Sequence, residues 1–201
     1  LTVMLCNISL LQMKAEQDSE QSEILGEIEG AVDNASNICQ QILSYAGKGH
    51  FVVKPTCINQ LVQDITKLLQ VSVKNAELEL DLGSDLHPVM CDEAQITQLV
   101  MNLAINAAES VGEKAGKVFI RLSRVPADAK DLAACQIKSA SMQDSFTCIE
   151  VSDSGGGMNE ATLARIFAPF FTTKSTGRGL GLAAGRGIVR RHNGGLLARS
   201  K

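Results

Sequence analysis

The sequence predicts an α+β protein in which a helical hairpin precedes a domain of mixed helices and strands. Over residues 1–45, apolar side chains recur in steps of three and four, as they do along the buried face of a helix. From residue 56 onward, helical patterns alternate with short segments in which every second residue is apolar, which is typical of half-buried strands.

Residues 1–47 form the predicted hairpin. Apolar positions run from Leu1 to Ala15 and again from Ile24 to Tyr45, with the polar turn QDSEQS between them. The second run alternates steps of four and three, which makes a heptad seam. Two such helices cannot bury both apolar stripes on each other, so we expect a homodimer through residues 1–47 that forms a four-helix bundle. The alternative is a hairpin that packs on its own domain.

Residues 48–55 are the predicted linker, because Gly and Pro occur there without periodicity. Residues 56–201 are the predicted second domain. In that domain Thr56 is expected to cap a helix, residues 125–145 read as an insertion, and GGLLARS near the end is expected to start a strand. Further strands are predicted at 78–82, 118–122 and 146–151, and further helices at 92–111, 159–165 and 181–192.

Composition narrows the classes of partner. The net charge is −3 without a basic block, and no apolar run approaches the roughly 20 residues of a membrane span, so we expect neither nucleic-acid nor membrane contact from this chain. The six cysteines have neither metal-ligand nor disulfide-framework spacing. Reduced thiols in a cytoplasmic protein, or in the cytoplasmic portion of a longer membrane-bound one, are the expectation.

The first functional signal is a glycine group at the end of a strand. An apolar run delivers Asp153, and glycines fill positions 155–157 directly after it. A backbone without side chains is needed where another group approaches closely. Taken alone, such a cluster is more often a turn than a ligand site.

The second signal is a glycine group that leads into a helix. Glycines at 177, 179 and 181 follow Lys174 and surround Arg178. Exposed amides, a helix N-terminus and two cations are what a polyphosphate requires. The upstream residues are polar, which rules out a dinucleotide-binding strand, and no P-loop string occurs.

A third signal lies on the helix predicted over residues 92–111. Asp92 and Gln95 are spaced like a capping box. One polar stripe of this helix is formed by Gln95, Gln98, Asn102, Asn106 and Glu109. Asn is a poor helix former, so two on one stripe suggest ligands whose carbonyl groups coordinate Mg²⁺ beside phosphate oxygens.

Together these segments resemble the sensor histidine kinases, within the gyrase, Hsp90, histidine kinase and MutL ATPase superfamily. NLAINAAES is similar to the N box, VSDSGGGM to the first glycine box, FAPFF to the F box and GRGLGLA to the second glycine box. The four motifs occur in the family's order. The resemblance implies a two-layer α/β sandwich, with a mixed sheet that carries helices on one face, and it implies that residues 1–47 are part of the dimerisation and histidine-phosphotransfer hairpin.

The resemblance also implies roles for individual residues. Asp153 would accept a hydrogen bond from the adenine amino group, and Gly155 and Gly157 would let the backbone pass close to the base. Asn106 and Asn102 would hold Mg²⁺. The remaining residues implied to contact ATP, several of them through the phosphates, are Met158, Phe171, Thr173, Lys174, Gly177, Arg178, Gly179, Leu180 and Gly181.

The implied activity is transfer of the ATP γ-phosphate to a histidine, for relay to an aspartate in a response-regulator receiver domain. In the hydrolytic branch, the position of Asn102 typically holds a glutamate that activates water. An amide cannot take that proton, which argues against the alternative of an ATP-gated clamp or chaperone. We expect the acceptor histidine to lie outside this chain, since His50 lacks an acidic neighbour and His192 suits a helix C-terminus as a cation.

Overall fold

The structure is a computed structural model that describes residues 7–8, 10–12, 21, 24–30, 32, 51–72, 76–112, 116–130, 134–135, 144–174, 177 and 179–200. The chain divides into two compact units, residues 1–43 and 44–201. Among the helices in these described ranges, none is long and apolar enough to cross a bilayer.

In the first unit the described residues are helical, as predicted. Gln12 Nε2 donates a hydrogen bond to Glu29 Oε2 at 2.8 Å, which joins the two helical segments. Ile8 is buried, whereas Ile24 and Ile28 are 49% and 44% exposed within one chain. The rest of the predicted hairpin and its seam lies outside the described residues.

The second unit contains five strands and four helices within its described ranges. In chain order they are β1 (Lys54–Thr56), α1 (Ile58–Ser72), β2 (Ala76–Leu82), β3 (Val89–Cys91), α2 (Glu93–Val111), β4 (Gly116–Pro126), β5 (Ser145–Asp153), α3 (Glu160–Leu163) and α4 (Gly181–Arg191).

The main sheet is mixed, with the order β2-β4-β5. β2 runs parallel to β4, with Leu78 opposite Val118, while β5 runs antiparallel to β4, with Asp153 opposite Val118. β1 and β3 form a separate antiparallel pair. The register matters for the site, because it brings the end of β5, and therefore Asp153, to the edge where β4 begins.

Helices α1, α2 and α4 share one hydrophobic core with the sheet. The core is formed by apolar side chains from one face of each helix and from alternate residues of β4: Ile58, Leu61, Val62, Ile65, Leu69, Cys91, Ile96, Leu99, Val100, Ala104, Ile120, Leu122, Ile188 and Val189. Burial also raises the pKa of the Cys91 thiol, so this side chain stays protonated and packs as an apolar group.

The opposite face of the sheet is exposed and charged. Arg121 donates to Asp81 Oδ2 at 2.8 Å, and its guanidinium lies 3.8 Å from Glu150. The neighbouring carboxylates raise the pKa of Arg121. With helices on one face and ion pairs on the other, the domain has the α+β, two-layer architecture that the resemblance implies, and this prediction is confirmed.

Helix α2 begins at a cap that forms one of the two hydrogen bonds of the predicted capping box. Asp92 Oδ1 accepts a hydrogen bond from Gln95 N–H at 3.1 Å, as in a capping box. The reciprocal bond is replaced, because the Asp92 N–H donates to His192 Nε2 at 3.0 Å. Nε2 is therefore the unprotonated nitrogen, and Nδ1 carries the proton toward Ile188 O at 2.8 Å. The expectation of a cationic His192 is wrong: its neutral ring joins the end of α4 to the start of α2.

The same junction holds the segment before β1. Val52 N–H donates to the second carboxylate oxygen of Asp92 at 2.9 Å. The Phe51 ring meets the His192 ring edge-on at 5.0 Å, and the Arg191 guanidinium lies 4.4 Å above the Phe51 ring. Asp92 thus caps the helix and anchors the incoming chain at the same time.

Several local predictions need correction. A strand begins at Lys54, inside the predicted linker, and Thr56 ends this strand and donates to Lys54 O instead of capping α1. β4 extends to Pro126 and β5 begins at Ser145, so the two ends of the predicted insertion pair with each other. Residues 194–200 contain a single bridge residue, Leu196, in place of the predicted strand. These short pairings depend on a partner strand and leave little local pattern.

We expect His192→Phe to destabilise the second unit, because the ring would no longer accept from the Asp92 N–H. A buried backbone N–H that loses its acceptor lowers the free energy of unfolding by about 1–3 kcal/mol. Urea unfolding measures the change, and His87→Phe is the matched control because His87 is exposed. Equal unfolding midpoints for the two variants would contradict the role assigned to His192.

Candidate nucleotide site

The polar face of α2 lies against the start of α4. Asn102 Nδ2 donates to Gly181 O at 3.3 Å. A Cβ placed on Gly181 would lie 3.6 Å from Asn106 Nδ2 and 3.8 Å from Asn102 Cγ, so both amides border this glycine. One turn further, a Cβ on Gly185 would lie 3.0 Å from Leu99 Cδ1. The missing side chains let the two helices approach, and the sequence-predicted Asn pair meets the second glycine box.

The first glycine group lies at the other end of α2. Gly155 N–H donates to Asp153 Oδ1 at 2.9 Å, which bends the chain directly after β5. A Cβ on Gly155 would lie 2.5 Å from Ser110 O, so this backbone packs directly on the last turn of α2. Gly157 has φ +69°, a conformation that favours glycine. Gly155 therefore lies where another backbone segment approaches closely, and the approach of this group to a ligand stays a prediction.

Met158 follows this glycine group. Its N–H donates to Ser200 Oγ at 2.6 Å, and its side chain is 38% exposed. The bond ties the glycine loop to the end of the chain and leaves the apolar side chain accessible at the surface.

Lys174 reaches the polar face of α2 from the segment between the two glycine groups. Its ammonium forms an ion pair with the Glu109 carboxylate. Thr172 Oγ1 accepts from the Lys174 N–H at 3.1 Å, while Thr173 is exposed. Arg178, the other predicted phosphate-binding cation, lies outside the described residues.

The F box segment, residues 167–171, is buried at one end and exposed at the other. Phe167 is in the core, whereas Phe170 is 72% exposed and has φ +63°. Phe171 lies 4.4 Å beneath the Arg165 guanidinium. Phenylalanines usually lie in the core, and Phe170 is an exception.

Gly179 packs directly against the backbone of the F box segment. A Cβ on Gly179 would lie 2.4 Å from the carbonyl carbon of Phe170, and Gly179 itself has φ +66°. Its carbonyl group accepts from the Phe170 N–H at 2.9 Å. Gly177 is equally crowded, with its Cβ position 2.3 Å from Thr172 Oγ1. Backbone contacts and a positive φ therefore require glycine at 179, whereas the atoms closest to Gly177 belong to the side chains of Thr172 and Lys174.

The start of α4 has no side-chain cap. Leu180 is buried at the N-cap without a side-chain hydrogen bond to the helix, and the first turn contains no acidic residue. The first amide groups, beginning at Gly181, therefore keep their hydrogen-bonding capacity and the positive end of the helix dipole. A phosphate fits this position because it supplies the missing acceptors.

Three separate segments thus meet along one face of α2. The second glycine box borders Asn102 and Asn106, Lys174 pairs with Glu109, and the first glycine group packs on Ser110. In the parts of the chain that the structure describes, no three His, Cys, Asp or Glu side chains converge as metal ligands. The Asn carbonyl groups are oxygen ligands of the type that Mg²⁺ accepts.

Sequence reasoning missed two contacts on this face. Glu109 is on the predicted polar stripe, yet nothing local indicates Lys174 as its partner across 65 positions. Ser110 gives no sequence signal, because its backbone carbonyl makes the contact with Gly155. The position of Glu109, an acidic residue one turn after the Asn pair, was the available sign that a cation lies nearby.

A core of helices on a mixed sheet, with glycine loops and Asn side chains on one helix face, defines a nucleotide-binding domain. The family model described as histidine kinase-, DNA gyrase B- and HSP90-like ATPase matches residues 91–201. The chain belongs to this family. The resemblance to the catalytic ATP-binding domain of sensor histidine kinases is thereby confirmed.

The chain is similar to parts of longer curated proteins. The sensor kinase CckA of Brucella abortus is 32% identical over 84% of this chain, and the histidine-protein kinase AtoS of Escherichia coli is 27% identical over 94%. The chain spans 18% of CckA and 29% of AtoS.

Solved structures share the fold. Full-length ShkA in complex with AMPPNP matches with a TM-score of 0.68 at 23% identity, covering 93% of this chain and 37% of that one. The nucleotide-free catalytic domain of ThkA matches with a TM-score of 0.51 at 27% identity, covering 72% and 82%.

We expect Gly155→Ala to lower the free energy of unfolding by about 1–3 kcal/mol, the usual cost of forcing an extra methyl group into a packed contact. The added Cβ would collide with the Ser110 backbone, which cannot rotate away. Gly156→Ala is the matched control, since its Cβ would meet no heavy atom within 4 Å. Urea unfolding of both variants tests the contact, and equal effects would contradict it.

Proposed function

We propose that this chain binds Mg-ATP and donates the γ-phosphate to a histidine outside the chain, as the catalytic region of a sensor histidine kinase. The observation that carries the proposal is the convergence of both glycine groups and Lys174 on the polar face of α2. Family membership supports the nucleotide class. Phosphoryl transfer depends on positioning and on charge neutralisation, which this face supplies.

At the adenine end, Asp153 is the residue that recognises the base. Its Oδ1 accepts from Gly155 N–H, so the carboxylate is held in one orientation at the end of β5. The other carboxylate oxygen can accept a further hydrogen bond from a donor such as the adenine amino group. Gly155 and Gly157 keep this wall of the pocket free of side chains, and Met158 and Phe171 supply apolar contact area.

At the phosphate end, the backbone N–H groups of Gly179 and Gly181 donate hydrogen bonds to the phosphate at the start of α4. Asn106 and Asn102 hold Mg²⁺ through their carbonyl groups, and Asn102 keeps its Nδ2 on Gly181 O. A bound Mg²⁺ neutralises charge on the phosphate oxygens. Lys174 and Arg178 add the cationic charge, and Thr173, Gly177 and Leu180 complete the set of contacts.

Transfer is favoured over hydrolysis by the chemistry of position 102. An amide that already donates to Gly181 O cannot act as a general base toward water. His192 is a poor acceptor, since both of its ring nitrogens are engaged in hydrogen bonds. In the proposed relay the phosphate passes to a histidine outside this chain and then to a response-regulator aspartate.

Two protein partners follow from this proposal. The first is a second copy of the chain, joined through residues 1–47, because Leu11, Ile24 and Ile28 of the heptad stripes are each about half exposed in one chain. The second is a receiver domain. ThkA, whose structure shares this fold, has been solved in complex with the response regulator TrrA, which supports the kind of partner.

Asp153→Asn should weaken binding of a non-hydrolysable ATP analogue. Loss of one hydrogen bond to a charged group costs about 1.5–3 kcal/mol, which corresponds to roughly a ten- to hundredfold change in affinity. Isothermal titration in the presence of Mg²⁺ measures it. The exposed Asp128 provides the control variant Asp128→Asn, and unchanged affinity in Asp153→Asn would rule out the adenine assignment.

The chain by itself should bind ATP without labelling itself or turning ATP over quickly. Adding an H-[DE]-x-x-N segment, the pattern that contains the acceptor histidine in the sensor histidine kinases that this chain resembles, should give acid-labile, alkali-stable phosphorylation from radiolabelled ATP. Asn106→Asp should abolish that labelling by disturbing the metal ligands. Rapid release of phosphate without any phosphoprotein would move the protein to the hydrolytic class.

Sedimentation velocity tests the homodimer. We expect the whole chain to sediment as a dimer and a chain that starts at Phe51 to sediment as a monomer, because the heptad stripes lie in the removed part. If both sediment as monomers, residues 1–47 do not provide the interface.

A further inference from the structure

An acidic side chain lies beside the proposed phosphate region. Glu109 follows Asn106 by three residues, so the two share one side of α2. The next residue, Ser110, packs against Gly155, while Asn106 borders Gly181. Glu109 therefore lies between the adenine end and the phosphate end of the proposed nucleotide, where a free carboxylate would repel a polyphosphate.

The Glu109 carboxylate is paired with the Lys174 ammonium. The two side chains are 52% and 36% exposed, and ion pairs this exposed contribute little to the stability of a fold. The main effect of the Glu109–Lys174 pair is therefore to fix the position of the Lys174 ammonium. It is held one turn beyond Asn106, on the face where the two glycine groups meet α2.

The backbone of Lys174 is fixed as well. Its N–H donates to Thr172 Oγ1 at 3.1 Å, and its carbonyl group accepts from the Gly177 N–H at 3.3 Å. Little space is left beside residue 177, because a Cβ there would lie 2.3 Å from Thr172 Oγ1 and 3.1 Å from Lys174 Cβ. Both ends of the lysine side chain are consequently restrained.

A lysine ammonium has three N–H donors, and the bond to Glu109 uses one of them. The other donors can reach phosphate oxygens without breaking the pair. A long, flexible side chain that is already ordered loses less freedom when a ligand binds. We propose, on the basis of the proposed function, that Glu109 is a positioning residue that holds the Lys174 ammonium ready for the nucleotide phosphates.

A double-mutant cycle on the whole chain tests this role. Glu109→Gln should lower the affinity for Mg-AMP-PNP about three- to tenfold, the range for losing the order of one long side chain. Lys174→Gln should lower it at least as much, and the double variant should be no weaker than Lys174→Gln alone. Glu109→Asp, which keeps the carboxylate, should recover part of the loss.

Two controls separate positioning from a general structural effect. Adenosine lacks phosphates, so its affinity should be the same for the wild-type chain and Glu109→Gln. Glu93→Gln removes another exposed acidic partner at the opposite end of α2, where Glu93 pairs with Lys54, and should leave AMP-PNP affinity unchanged.

The possible failures are distinguishable. If Glu109→Gln binds AMP-PNP as well as the wild-type chain, or more tightly, Glu109 does not position Lys174 and this inference is overturned while the proposed function stands. An equal loss for adenosine and AMP-PNP would also overturn it. A folded wild-type chain that binds no AMP-PNP would overturn the proposed function together with this inference.

Discussion

The contact between α2 and α4 is the interaction on which the candidate site depends. α2 has to bury one face against the sheet and α1 while its other face meets the start of α4. Because Gly185 has no side chain, α4 can approach α2 closely beside Leu99. Gly181 allows the same close approach beside the Asn pair. If the helices moved apart, the Asn pair and the start of α4, which the proposed site uses for metal and phosphate, would no longer face the same volume.

A junction at the far ends of the same helices keeps them in register. The neutral imidazole of His192 accepts from the backbone of Asp92, and Asp92 in turn caps α2 and holds Val52. The segment that enters the domain is therefore hydrogen-bonded to the helix that carries the Asn pair. Phe51 also packs on His192, so a displacement of that segment would disturb contacts at the start of α2 and at the end of α4.

The fold is shared by kinases, chaperones and clamps of the family, so the reaction is decided by individual side chains. An amide at position 102 keeps the helices together through Gly181 and provides no general base. Lys174, the lysine proposed to approach the phosphates, is paired with Glu109 through an exposed ion pair that adds little to stability. Contacts of this kind tune a binding site without altering the core that supports it.

Sequence by itself determined the motifs and most of the elements. The spacing of apolar residues predicts α2, α4 and the strands β2, β4 and β5, and Asp92 predicts the start of α2, because these signals are local and repeat within a few residues. The tertiary structure alone decided the pairing of β1 with β3, the neutral His192 on Asp92, the Glu109–Lys174 pair and the exposure of Phe170. Those features join residues far apart in the chain, so packing selects them and no local pattern encodes them.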